Sequence, residues 1–144
     1  MTRTISLAVD IDADANRIFD VLSTAEGQRS FWTADCDVSD QHGRFGFAAA
    51  PMDLEVDVVT RRPELVQMTV TSGFPFWEGS IWEWQLGAAA RAASGTGVLF
   101  RHRDFADGYL EIDIAHTAQT WALVLDRLSR FLTSGAPDPL FPAG

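Results

Sequence analysis

The sequence has little cysteine, little positive charge and no long apolar run. The single cysteine, Cys36, cannot form an internal disulfide, which fits a reducing compartment. Eleven basic residues against 20 acidic ones give a formal charge of -9. This balance argues against nucleic acid binding, because phosphate contacts need clustered lysine and arginine. No stretch approaches the ~18 consecutive apolar residues of a membrane span, and the N-terminus lacks the apolar run of a signal peptide. We therefore predict a cytoplasmic protein without a membrane span.

Motifs for covalent catalysis and metal binding are also missing. The chain has no G-x-S-x-G elbow, and Cys36 has no recognisable nucleophile setting around it, so a covalent enzyme is not predicted. His42, His102 and His116 share no metal-ligand spacing. We predict neither a metal nor a cofactor.

Three alternating carboxylates near the N-terminus imitate the start of a calcium loop. Asp10, Asp12 and Asp14 have the right spacing, but Ala15 and Val21 stand where such a loop needs Gly and Glu. A strand end followed by a helix cap explains these side chains instead.

The C-terminal third contains the longest regular pattern in the chain. From Leu110 to Leu132, apolar residues recur at steps of three and four, which predicts an amphipathic helix more than about 30 Å long. Gly135 is suited to end this helix in the left-handed conformation, and the prolines that follow cannot continue it. The pattern predicts a single domain over 1–135 and a loose, proline-rich tail over 136–144.

Shorter periodic segments precede this helix. Residues Thr4 to Asp12 alternate as a half-buried strand, and Asp14 is suited to cap a short helix. The S-x-x-E spacing of Ser23 and Glu26 predicts a capping box and a second short helix. Alternation then predicts further strands over 44–50, 54–58, 66–70, 81–86 and 98–103, with an alanine-rich, mobile hairpin tip at 87–97.

Together these segments predict an α+β protein with a curved antiparallel sheet around the C-terminal helix. One strand, two short helices and a succession of hairpin-connected strands precede the helix. Its broad apolar stripe requires a concave cover, and only the preceding strands can supply one. The helix-facing side chains by parity are Phe45, Phe47, Met68, Trp82, Trp84, Phe100 and His102.

Several motifs, in this order and spacing, resemble a known superfamily. They are I-F-D-V-L within Ala13 to Leu22, Phe31-Trp32, G-R-F-G-F at Gly43 to Phe47, R-R-P-E-L-V at Arg61 to Val66, G-T-G-V-L-F-R-H at Gly95 to His102, and T-W-A-L-V-L-D-R-L at Thr120 to Leu128. The chain resembles the helix-grip (SRPBCC) superfamily of START domains, the birch-pollen allergen and polyketide cyclases. Within it, the chain is similar to the family named for the activator of the heat-shock-protein-90 ATPase, homologue-like. The resemblance implies a helix-grip fold with a cavity between sheet and helix.

Aromatic residues are the strongest functional signal, since five Trp and ten Phe exceed what a small core needs. We predict that Trp82, Trp84, Trp121 and His102 line a cavity. The predicted entrance is formed by Trp32, Phe74, Trp77 and Tyr109. With the helix-facing Phe45, Phe47, Met68 and Phe100, these residues make a set of twelve predicted ligand contacts. The aromatic loop at 74–77 is richer in rings than the family pattern, which leaves open whether the pocket is open or filled by side chains.

Three functions are consistent with this pattern. The first is binding of a small hydrophobic or aromatic molecule, with His102 either orienting the ligand or buried and bonded to a neighbour. The second is a cyclase or aromatase reaction, as the superfamily implies, in which His102 and Tyr109 move protons. The third is interaction with a chaperone, as the family name implies. We rank binding first; Leu123, on the outer helix face, is a candidate homodimer contact.

Overall fold

The computed structural model describes residues 3–48, 50 and 53–143. Within these residues the chain forms seven strands and three helices, in the predicted order. The elements are β1 (Thr4–Ile11), α1 (Ala15–Ser23), α2 (Ala25–Phe31), β2 (Cys36–Val38), β3 (His42–Phe45), β4 (Leu54–Arg62), β5 (Leu65–Ser72), β6 (Ile81–Ala88), β7 (Thr96–Arg103) and α3 (Glu111–Ser134).

All strands belong to one antiparallel sheet, in the order β1-β7-β6-β5-β4-β3-β2. The first strand pairs with the last one, β7, and the strands from β2 to β7 follow one another as successive hairpins. The edges of the sheet are therefore β1 and β2. The long helix α3 packs on the concave face together with α1 and α2, as predicted for an α+β helix-grip fold. None of the helices in the described part of the chain is long and apolar enough to cross a membrane.

Strand register brings the large side chains of the sheet into adjacent rows. Trp82 on β6 lies between Met68 on β5 and His102 on β7, and Trp84 lies opposite Phe100. All five side chains are almost completely buried beneath α3. The parity prediction is therefore confirmed for these five residues, whereas Phe47 lies beyond the end of β3.

The helix α3 begins one residue later than the sequence pattern suggests and ends two residues beyond it. The backbone N–H of Leu110 donates to a carboxylate oxygen of Asp113 at the N-terminus, and Gly135 ends the helix with φ 77°. The buried residues of its C-terminal half are Val124, Leu125, Leu128 and Leu132. This half is therefore ordinary core, as the sequence predicts.

The start of α2 differs from the prediction in its capping residue. The S-x-x-E pattern assigns the cap to Ser23, but the Thr24 side chain accepts from the Gly27 backbone N–H at 3.1 Å. Ser23 is instead the last residue of α1 and lies buried. The two short helices follow each other so closely that a Cβ on Gly27 would lie 2.0 Å from the carbonyl oxygen of Val21.

Strand β3 is shorter than predicted. The sequence alternation extends a strand from Arg44 to Ala50, but β3 ends at Phe45, and Ala49 lies outside the described residues. The chain leaves the sheet at Gly46 because both backbone groups of this residue bond elsewhere. The Gly46 N–H donates to the carbonyl of Asp35 at 2.7 Å, and the Gly46 carbonyl accepts from the hydroxyl of Thr33 at 2.6 Å. These bonds replace the next sheet pairing.

The hairpin tip between β6 and β7 is anchored, contrary to the expectation that it is mobile. The carboxylate of Asp10 accepts from the backbone N–H groups of Ala90, Arg91 and Ala92 at 2.7–2.9 Å. These bonds hold the pKa of Asp10 below its ordinary value. The same carboxylate that imitates a calcium ligand in the sequence therefore fixes a neighbouring loop.

The proline-rich tail is not loose at residues 138–141. The backbone N–H groups of Leu140 and Phe141 donate to the carbonyls of Phe31 and Trp32 at 3.1 and 2.9 Å, and Thr33 forms a bridge with Phe141. This attachment carries the Phe141 ring back onto the domain, where it packs edge-on against Phe47. The boundary at residue 135 stays a prediction.

We predict that Gly27→Ala destabilises the protein, although alanine normally favours a helix. The added methyl group would overlap the Val21 carbonyl, and relieving that overlap requires α1 and α2 to separate, at a cost of about 1–3 kcal/mol. Urea unfolding followed by circular dichroism measures this cost. Gly87→Ala is the matched control, because a Cβ there meets no atom within 4 Å. Equal stabilities of the two variants would contradict the prediction.

A candidate ligand groove

The loop between β5 and β6 supplies one wall of the candidate site. Phe74 and Trp77 turn inward from this loop, and the Trp77 side chain is only 8% exposed. Between them Phe76 adopts φ 70°, a left-handed conformation that is strained for a bulky residue. Its ring remains 43% exposed and stacks on Tyr109 with 5.6 Å between ring centroids. The sequence prediction that this loop packs over a neighbouring element is confirmed.

A groove with a volume of about 370 Å³ lies between this loop and the N-terminal half of α3. This is the half of the helix where the sequence predicts that a pocket opens. Most of its wall is aromatic. The lining residues are Trp32, Phe47, Ala50, Phe74, Trp77, Tyr109, Asp113, His116, Thr117, Thr120, Trp121 and Phe141. An outer lobe adds Pro75 and Phe76 and shares Asp113 with the inner one.

Trp121 forms the inner end of the groove and is 2% exposed. Its ring centroid lies 4.4 Å from that of Phe100 and 5.0 Å from that of Trp32. The Trp77 ring is nearly parallel to it, with an interplanar angle of 18°. One residue of the helix therefore contacts a ring of the sheet, the ring that follows α2 and a ring of the aromatic loop.

The indole N–H of Trp121 donates to Nδ1 of His102 at 3.1 Å. Because Nδ1 accepts, the imidazole proton must lie on Nε2, which is 2.9 Å from the hydroxyl of Ser80 and donates to it. Burial lowers the pKa of His102 to about 3, so the ring is neutral at neutral pH. Of the two readings of His102 left open by the sequence, the structure shows the buried histidine bonded to its neighbours.

Tyr109 takes part in a second chain of hydrogen bonds at the groove wall. Its hydroxyl lies 3.1 Å from the indole nitrogen of Trp77, which donates to it, and 2.7 Å from the hydroxyl of Thr117. The Thr117 hydroxyl in turn donates to the carbonyl of Asp113 at 2.9 Å, so Tyr109 donates to Thr117. These bonds fix the position of the Tyr109 ring between the loop and the helix.

The twelve predicted ligand contacts divide into two sets of six. The groove is lined by Trp32, Phe47, Phe74, Trp77, Tyr109 and Trp121. The remaining six are fully buried behind it, where the groove does not reach them: Phe45, Met68, Trp82, Trp84, Phe100 and His102. The predicted entrance residues therefore form the walls. Of the four predicted lining residues only Trp121 meets the groove, because the others lie one layer deeper in the sheet.

Sequence reasoning missed six further lining residues. Four of them share one face of α3, namely Asp113, His116, Thr117 and Thr120. Their spacing by three and four residues could have identified this face from the sequence. Ala50 and Phe141 carried no such signal, since both come from irregular segments. Among the described residues, no cluster of three His, Cys, Asp or Glu side chains is arranged to hold a metal ion.

We predict that Trp121→Phe costs more stability than Trp84→Phe, although both remove the same part of an indole. Trp121→Phe leaves Nδ1 of His102 buried without a donor, which adds about 1–3 kcal/mol to the packing loss. The indole N–H of Trp84 has no partner among the described residues, so Trp84→Phe breaks no hydrogen bond there. Urea unfolding of both variants measures the difference, and equal losses would contradict the assigned hydrogen bond.

We predict that burial of His102 makes the fold less stable as the pH falls from 7 to 5. The pKa of His102 is about 3 in the folded chain, below the ordinary value of 6.5. As the pH falls from 7, the unfolded chain therefore binds a proton that the folded chain does not bind, and this stabilises the unfolded state relative to the folded one. The loss is about 2 kcal/mol over this range. The measurement is the free energy of unfolding at each pH for the native chain and His102→Gln. The variant should lose less over the same interval, whereas parallel curves would show that His102 is not the group responsible.

The fold is shared by solved structures, whereas no family model and no curated protein matches the chain. The Aha1 dimer from Colwellia psychrerythraea is 24% identical, with a TM-score of 0.74 over 92% of this chain and 98% of its own. DynU16, from the dynemicin biosynthetic locus, is 14% identical with a TM-score of 0.75, covering 97% of this chain and 51% of its own. The di-domain ARO/CYC StfQ from the steffimycin biosynthetic pathway is 9% identical with a TM-score of 0.71, covering 94% and 52%.

This chain spans about half the length of DynU16 and StfQ, and nearly all of the Aha1 structure. At these identities the likeness concerns the fold. The chain has the α+β helix-grip fold that the sequence predicts.

Proposed function

We propose that the groove binds a small hydrophobic molecule, preferably one with a flat aromatic body. The observation that carries this proposal is the groove itself, a concave space of about 370 Å³ whose wall is formed mainly by seven aromatic rings. A space of this size suits a small ligand, and aromatic walls favour flat, apolar occupants. The twelve predicted contacts are thereby reduced to the six that meet this space.

The arrangement of the rings favours a defined ligand orientation. Trp77 and Trp121 are nearly parallel, and Tyr109 is fixed in the wall by its bonds to Trp77 and Thr117. Rings held by packing and hydrogen bonds lose little further freedom when a ligand binds, which lowers the cost of association. A flat molecule aligned with the two indole planes fits this geometry.

The cyclase alternative is supported by the name of one structural neighbour, the di-domain ARO/CYC StfQ, and by the position of Tyr109 in the wall. Its predicted partner His102 does not meet the groove, and both of its ring nitrogens have protein partners. The Tyr109 hydroxyl likewise already donates and accepts within the wall. Proton transfer would require these bonds to break, so ligand binding without turnover is the better-supported function.

We predict that Thr120→Phe lowers the affinity for an apolar ligand at least about tenfold, or about 1.4 kcal/mol, because the added ring occupies the groove. N-phenyl-1-naphthylamine, an uncharged dye that brightens in apolar surroundings, is a suitable probe. Gln119→Phe is the matched control, since it adds the same ring to an exposed neighbouring position that does not line the groove. Absence of saturable binding to the native protein would refute the proposal, and equal effects of the two variants would place the site elsewhere.

A further inference from the structure

We infer that the ligand of this groove carries a positively charged nitrogen on its apolar body, and that Asp113 binds this charge. The inference rests on the proposed binding function and narrows the ligand to hydrophobic amines and ammonium compounds. Asp113 lies in the first turn of α3 and lines both the inner and the outer lobe. Its carboxylate is thus within reach of a ligand in either lobe.

The other polar groups of the wall are largely occupied by the protein. Thr117 donates to the carbonyl of Asp113, Thr120 donates to the carbonyl of His116, and Tyr109 donates to Thr117. The Asp113 carboxylate accepts one bond from the Leu110 N–H, at 3.3 Å through a single oxygen. Within the described residues no arginine forms an ion pair with it. The carboxylate therefore retains both its charge and its second oxygen for a ligand.

Capping of α3 explains the position of Asp113 only in part. A carboxylate in the first helical turn interacts favourably with the helix dipole, and Glu111 in the same turn does so without lining the groove. Capping uses one oxygen of Asp113 and does not require surrounding rings. The combination of a carboxylate with several aromatic faces is the arrangement that proteins use to bind organic cations.

The charges near the groove also favour a cation. The positive end of α3 is equivalent to about half a charge, which is less than the full charge of the Asp113 carboxylate. Arg3 donates to the carbonyl of Tyr109 and is the nearby opposing cation, with His116 as the titratable neighbour on the helix. The whole chain carries a formal charge of -9, so its long-range field attracts cations.

Two probes of nearly equal shape test the inference: 2-naphthylmethylamine, which is protonated at pH 7, and uncharged 2-naphthylmethanol. Their affinities are measured by displacement of N-phenyl-1-naphthylamine at low salt. The amine should bind about tenfold more tightly than the alcohol, from the combined carboxylate and ring contacts. Asp113→Asn should remove this preference, which is read as the ratio of the two affinities. Glu111→Gln, which removes the same charge two residues earlier and outside the groove, should retain the preference.

Equal affinities of the amine and the alcohol for the native protein would overturn the inference and leave the proposed binding function standing. An equal loss of preference in Asp113→Asn and Glu111→Gln would also overturn it, by showing that general surface charge is responsible. If the dye itself fails to bind the native protein, the proposed function fails as well. Should Asp113→Asn not fold, the preference of the native protein must still fall as salt is added, and a salt-independent preference would count against an ionic contact.

Discussion

The hydrogen bond from Trp121 to His102 is the interaction on which the arrangement of this molecule depends. It joins the closing helix to the last strand of the sheet inside a layer where almost every other contact is apolar. Apolar contacts are not directional, so many rotations of α3 would bury a similar area. A donor and an acceptor that are both buried must meet, because each unpaired group is costly to bury. The bond therefore fixes the rotation of the helix and, with it, the face that α3 presents to the groove.

That rotation determines which side chains of α3 meet the aromatic loop. With Trp121 pointing at the sheet, Thr117, one turn earlier, and Thr120, the preceding residue, lie along the groove. Asp113 lies two turns before Trp121 and also lines the groove. The Tyr109 hydroxyl then bridges Thr117 and Trp77, so the helix and the loop are held at a fixed separation. The groove is the space that remains between two elements whose distance is set by polar bonds.

Most of the fold could be predicted from the sequence, since the two-residue period of strands and the 3.6-residue period of helices appear directly in the pattern of apolar residues. Parity correctly placed Trp82, Trp84, Phe100 and His102 on the concave face. Parity gives the face of a residue but not its depth, however, and whether a helix covers a position depends on the curvature of the sheet. The prediction therefore placed these four residues in the cavity, when the helix buries them completely.

The features that sequence reasoning missed depend on contacts between distant segments. The anchoring of the hairpin tip by Asp10 joins residues about 80 positions apart. The attachment of Phe141 to Trp32 and Thr33, just after α2, likewise follows a stretch whose prolines predict only the end of a helix. Neither contact has a local period, and each becomes visible only when strand order places the segments side by side.

Trp121 belongs to the core and to the groove at once, and this double position has a thermodynamic consequence. Its indole N–H secures the fold through His102, whereas another part of its ring lines the space proposed for a ligand. A molecule that binds only the folded chain stabilises it by an amount that grows with ligand concentration relative to the dissociation constant. A ligand in contact with Trp121 would additionally restrict the ring whose orientation the histidine bond requires. Ligand binding is therefore expected to act on the histidine bond through Trp121, the member of this buried pair that meets the groove.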